Sequence, residues 1–282
     1  MSVRVILTIA RLTLQEAARR RVLRSLAVLT VLLLAVSAWG FSRIDAEFGD
    51  LTSGEARLAA AMVLNLVMFG LSLIAALGTA FLAGPTLAGE IESGIALAVL
   101  GRPVRRAAIL LGKWLGLVVF GTGFVAAAGL ALLLIVRGTA GYWPPEPVTG
   151  LALLAGQAVA LLTLALLLST AISPMASGIV AVGLFGATWV AGVVGNVGVA
   201  LANPGIERIG TVSQVLLPTD GLWRGAMRCF QDPSLFAQFG QAFEAHPFLS
   251  IAPLTVPYLL WSLLWVLIVL ALAGVAFQRR DL

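Results

Sequence analysis

Apolar runs of about twenty residues recur along this chain of 282 residues, and no other feature restricts its fold as strongly. Twenty helical residues rise about 30 Å, the thickness of bilayer hydrocarbon, so each run is long enough to cross a membrane as a helix. Six such spans are expected, at about 22–41, 62–87, 107–136, 151–172, 177–201 and 256–277. A composition of 60% hydrophobic and 11% charged residues, with a mean hydropathy of +1.03, excludes a water-soluble globule. The expected fold is therefore an all-α integral membrane protein of six transmembrane helices.

The segments between the spans carry the remaining information. Residues 2–21 place Arg4, Thr8, Arg11, Gln15 and Arg19 on one stripe and Val5, Ile6, Ile9, Leu12 and Leu14 around it, which predicts an amphipathic helix at the membrane interface or packed on a partner. Arg19, Arg20, Arg21 and Arg24 lead into the first span, read as an uncleaved signal anchor because further spans follow. Pro85 is expected to end or kink the second span, and Lys113 to snorkel from the third to the surface. Residues 202–255 are too polar for spans. Asp220 is expected to cap a short helix with Leu222, Trp223, Ala226, Met227 and Phe230 on one face and Arg224 and Arg228 on the other. Ser234 is expected to cap a second, carrying Leu235, Phe236, Phe239 and Phe243.

Six spans put both termini on one side. Twelve of the eighteen basic residues then fall on that side, among them Arg102, Arg105, Arg106, Lys113, Arg279 and Arg280, and only four of the thirteen acidic ones do. The excess of arginine assigns this side to the cytosol, so 88–106 is expected inside and 202–255 outside. The net charge of +5 is thus a topological signal and does not point to nucleic acid.

Several chemistries are disfavoured. Gly112-Lys113 lacks the upstream glycine of a phosphate-binding loop and is followed by Trp114, so ATP binding by this chain is not expected. One cysteine, Cys229, and one histidine, His246, make neither a disulfide nor a metal cluster, and no cofactor or metal is expected here. Within the hydrocarbon core the spans hold no Asp, Glu, Arg or His of the kind ion-coupled carriers use, and no nucleophile with a base beside it. Their polar groups include Asn65, Gln157 and Asn196, which either line a translocation path or hydrogen-bond between helices. Gly112 and Gly116 make a small-xxx-small pair that permits close helix approach.

Residues 88–100 predict a short helix leaving the membrane, and Arg102-Pro103 turns the chain back toward the third span. The pattern Glu90, Gly94, Leu97, Leu100, Arg102-Pro103, Arg106 and Leu110-Leu111-Gly112-Lys113 resembles the signature between the second and third spans of ATP-binding-cassette (ABC) type-2 export permeases. The amphipathic first helix, the six spans, the large segment before the last span and the closing Gln278-Arg279-Arg280-Asp281-Leu282 fit that family too. Pro218-Thr219-Asp220 before an aromatic and an arginine is similar to the branch of permeases linked to nitrous-oxide reductase maturation.

The resemblance implies a non-catalytic permease subunit of the cytoplasmic membrane, pairing with a second copy or close relative and with cytosolic ATPase subunits that hold ATP and Mg. It makes 90–100 a coupling helix. Glu90 and Glu92 would meet basic residues of the ATPase, Gly94 would allow close approach, and Arg102, Arg105 and Arg106 would bind partner or lipid phosphates or serve as topological anchors. Leu97, Leu100 and Pro103 complete the segment. The alternative function is an ATPase-coupled assembly or maturation factor acting on an extracytoplasmic partner; an ion-coupled carrier is a third.

Overall fold

A computed structural model describes residues 3–48, 54–92, 105–232, 247–250 and 254–279. Among them the regular structure is all helix: α1 (Val3–Arg19), α2 (Arg21–Phe48), α3 (Gly54–Glu92), α4 (Arg106–Ala140), α5 (Pro147–Leu168), α6 (Pro174–Ala200), α7 (Pro204–Leu216), α8 (Thr219–Phe230) and α9 (Val256–Arg279). Six of these, α2 to α6 and α9, are long and apolar enough to cross a membrane. Pro147 and Pro174 open α5 and α6 in their first turns, where a missing N–H costs no helical bond.

The spans pack into one bundle whose core joins Leu64, Met68 and Leu71 of α3 to Leu132 and Leu133 of α4 and Leu154 of α5. A second cluster, nearer the end where α4 begins, joins α3, α4, α5, α6 and α9 through Ala80, Leu110, Leu162, Phe185 and Ala273. That is the terminal end of the bundle, and the opposite one is the far end. The outward apolar side chains, among them Val28 and Leu32 of α2 and Leu260 and Leu263 of α9, are exposed as lipid-facing residues are.

Three findings at the terminal end revise expectations. First, Pro85 does not end its helix: α3 runs on to Glu92. The proline removes one backbone donor, but Thr86 donates its hydroxyl to Leu82 O, and Lys113 Nζ donates to Thr86 O at 2.6 Å. Second, that bond means Lys113 does not snorkel. It is 5% exposed, held inside the bundle where α3 and α4 pack. Third, α1 lies lengthwise on the first turns of α4, with Ile6 and Ile9 over Gly112 and Ala10 and Thr13 over Gly116. The small-xxx-small pair is thus the seat of α1, while Arg4, Arg11 and Arg19 stay exposed.

Between α6 and α9 the chain makes a re-entrant hairpin rather than a surface excursion. The Asn203 side chain caps α7 by accepting from Gly205 N and Ile206 N. α7 then runs back along α6, with Glu207 against Gly198 and Gly210 against Gly195, where an added Cβ would lie 2.7 Å from Gly210 Cα. Its apolar residues Ile209, Val212, Val215 and Leu216 face outward, as on a lipid-facing helix, while Gly210 is buried, Ser213 and Gln214 are half-buried, and Glu207, Arg208 and Thr211 are exposed. After the turn, α8 climbs along α5, with Leu222 near Gly156, Gly225 near Leu153 and Phe230 on Gly150. Asp220 packs on Gly192, eight residues before the end of α6. The turn therefore lies about 12 Å inside the far end of the spans.

A helix ending at such depth leaves carbonyls that water cannot reach. Here α9 supplies the donors: Tyr258 Oη to Gln214 O, Trp261 Nε1 to Val215 O at 3.1 Å and Trp265 Nε1 to Leu216 O at 2.8 Å. The spacing of three and four puts all three aromatics on one face of α9. Asp220 is not the cap expected for α8; Pro218 occupies that position and Asp220 sits in the first turn. The expected apolar face of α8 is the buried one, with Trp223, Ala226, Met227 and Phe230 in the core. The helix expected at Ser234 lies outside the described residues.

Candidate functional site

Two regions carry polar chemistry. At the terminal end, Glu90 and Glu92 belong to the last turns of α3, six residues or fewer beyond the candidate span that closes at Thr86. Their side chains, and Gly94, Leu97, Leu100, Arg102 and Pro103, lie outside the described residues. Arg105 precedes α4 in extended backbone and is exposed. The Arg106 guanidinium donates to Phe277 O at 3.3 Å and Gln278 O at 3.2 Å, joining the start of α4 to the end of α9, where a cation also suits the helix dipole. Thr86, Lys113 and Arg106 thus connect the end of α3, the beginning of α4 and the end of α9.

At the far end, a cavity of about 420 Å³ opens between α6, the hairpin and α9. Asn196, Glu207, Gln214, Arg224 and Tyr258 contribute its polar walls, and Gly192 and Gly195 its bare floor. Only one of the three polar residues expected in a path is here. Asn196 lines the cavity; Asn65 instead donates to Phe248 O at 2.9 Å, and Gln157 accepts from Ser72 at 2.8 Å. The latter two are therefore ties between elements.

Behind the cavity wall, Asp220 is 2% exposed. Its Oδ2 accepts from Arg224 Nε at 2.7 Å and from Gln214 Nε2 at 3.0 Å, so the carboxylate fastens both arms of the hairpin. Burial pushes its carboxyl above the usual carboxylate range, and the Arg224 charge with the two hydrogen bonds draws it part of the way back. Asp220 Oδ1, Trp223 Nε1 and Asn65 Oδ1 have no partner among the described residues. Nearby, Phe69 meets Trp189 and Trp223 in tilted contacts and Phe248 edge-on, at centroid distances of 4.8, 5.4 and 5.6 Å.

These buried charges correct the expectation that the membrane interior of this chain is free of Asp and Arg. The difference arises because 202–255 do not lie wholly outside the bundle: 204–230 fold back between the spans. The signal was in the sequence: Asn203-Pro204 opens a helix, Ile209, Val212, Val215 and Leu216 recur on one face of it, and Tyr258, Trp261 and Trp265 make a donor stripe on the last span. Among the described residues no group of three or more His, Cys, Asp and Glu side chains is placed to hold a metal ion.

A family model described as ABC-2 family transporter protein matches residues 7–282. The chain belongs to the ABC-2 transporter family. No curated protein matches it. As an ABC-2 family member with six candidate spans it is a multi-pass membrane permease, and the match covers α1 through α9 apart from the first four residues of α1. Both the lysine tie at the terminal end and the cavity at the far end are therefore features of an ABC-2 transporter chain.

Proposed function

We propose that this chain is the membrane-spanning subunit of an exporter of the cytoplasmic membrane, driven by ATP that a separate cytosolic subunit hydrolyses with Mg. The family match over residues 7–282 carries the reading. The terminal end faces the cytosol, as the arginine asymmetry favours, and a second copy or close relative completes the translocation path. The ATPase engages the segment between α3 and α4. Glu90 and Glu92 offer it carboxylates, Gly94 allows close approach, Leu97, Leu100 and Pro103 shape the docked surface, and Arg102 and Arg105 bind partner or lipid phosphates.

The geometry supports a lever. α3 carries Glu92 about 9 Å beyond Thr86, and Lys113 fastens Thr86 to α4, so a push on the docked segment reaches both spans together. Arg106 hands the movement on to α9. Placement beside the permeases of nitrous-oxide reductase maturation rests on Pro218-Thr219-Asp220, which forms the turn and first residues of α8.

The test asks whether the neighbouring reading frame encodes an ATPase with a phosphate-binding loop, and co-expresses that subunit with this chain. The two should co-purify, and Glu90→Lys or Glu92→Lys should lower association or ATP-driven activity with membrane insertion unchanged. Normal coupling in both reversals discards the carboxylate roles; full turnover by this polypeptide alone in vesicles overturns the whole reading.

A further inference from the structure

The far-end cavity has the size of a small-molecule site, within the range of about 300–1,000 Å³. Among the described residues its one lining cation is Arg224, whose side chain is 12% exposed. Arg224 Nε is bound to Asp220, but among the described residues the two terminal nitrogens have no acceptor. A guanidinium so desolvated, with its fork unfilled and facing a cavity, is built to receive the paired oxygens of a carboxylate or phosphate. Asp220 fixes the orientation of the fork from behind.

Charge decides what else the ligand carries. Among the described residues the lining holds one anion, Glu207, beside the one cation, and Arg224 is already balanced by Asp220. A simple anion would therefore add uncompensated negative charge to a partly desolvated space. A ligand with its own cation avoids this. Glu207 packs against Gly198, about 9 Å along α6 from Gly192, and Arg224 stands one turn, about 6 Å, above Asp220, which packs on Gly192. The two charged residues thus lie at similar depth on the two arms of the hairpin, with Asn196 and Tyr258 between α6 and α9 to complete the polar lining.

We propose that this cavity binds a zwitterion, its oxyanion on Arg224 and its ammonium on Glu207. Two sources share that chemistry, a free amino acid or short peptide and the phosphoethanolamine headgroup of a lipid. The site does not depend on the ATP-driven reading, because binding is measured on the isolated full-length chain.

The experiment places the purified chain in phosphatidylglycerol nanodiscs and titrates phosphoethanolamine, glycylglycine, inorganic phosphate and ethanolamine, following tryptophan fluorescence. At least one zwitterion should bind, with affinity lowered tenfold or more in Glu207→Gln and in Arg224→Gln, and neither phosphate nor ethanolamine should match it. Glu207 is exposed at the mouth, so its variant remains informative if Arg224→Gln does not fold. Replacing the lipid by phosphatidylethanolamine distinguishes the sources: loss of the soluble probe's signal identifies the headgroup as occupant, and unchanged glycylglycine binding identifies a free zwitterion. Absence of zwitterion binding, equal binding of phosphate alone, or binding unaffected by Glu207→Gln overturns the proposal.

Discussion

Replacing Arg224 by Met should be among the most damaging single changes in this protein, and the loss should depend on a proton. The substitution removes the cation 2.7 Å from a carboxylate whose side chain is fully enclosed, so Asp220 is left charged with only Gln214 to face it. Breaking a buried pair from one side costs about 3–5 kcal/mol. The double variant Asp220→Asn, Arg224→Met has no stranded charge, and its cost should fall to the range of lost neutral hydrogen bonds, about 1–2 kcal/mol. Arg20→Met, which breaks an exposed pair of the same spacing with Glu16, provides the control, since such pairs contribute about 0–1 kcal/mol. Acid should rescue the single variant. Without Arg224, burial dominates the Asp220 carboxyl, and its folded pKa rises further above the 3.8 of the free group. The folded state then binds the proton more tightly, so its deficit is largest at neutral pH and shrinks as pH falls toward 4. Unfolding in detergent micelles, followed by tryptophan fluorescence at pH 7 and pH 5, measures all three variants. Equal losses for the single and double variants, or a deficit in Arg224→Met that grows on acidification, would refute the reasoning.

Lys113→Met should cost about 1.5–3 kcal/mol in the same assay, the worth of a buried charge-assisted hydrogen bond, and should uncouple ATP hydrolysis from transport in the assembled complex; retained coupling would remove the lever role. Trp265→Phe deletes the donor to Leu216 O and should cost about 1–3 kcal/mol, whereas Trp39→Phe, on the exposed face of α2, should be close to neutral. The Cys229 thiol, which burial and the neighbouring Glu146 push up to about 11 from 9.0, should react with iodoacetamide about a hundredfold more slowly at pH 8 than an unperturbed thiol, and Glu146→Gln should speed it.

The spans were legible because length and unbroken hydropathy suffice to find them, and the expected bounds fall within or near the six observed helices. The seat of α1 was half legible: Gly112 and Gly116 announced a close approach but not which helix makes it. The hairpin was not recovered because α7 is short and presents its apolar residues to the outside, so a search for spans passes over it. The role of Asp220 is hidden in the sequence for a related reason. Its place just after Pro218 suits a cap, and only the fold brings Gln214 and Arg224 onto its carboxylate. Lys113 looked like a surface anchor because the acceptor that holds it, a carbonyl left near Pro85, is 27 residues away in sequence.

The aromatic stripe on α9 also bears on the order in which the molecule is made. Gln214, Val215 and Leu216 are synthesised 44 to 49 residues before Tyr258, Trp261 and Trp265, the side chains that satisfy their carbonyls. Until the ribosome has delivered the last helix, the descending arm has no donors at its tip and cannot settle at depth without a penalty of several kcal/mol per open carbonyl. Assembly of the far end consequently waits for α9, and a nascent chain halted before residue 256 would carry its hairpin at the surface.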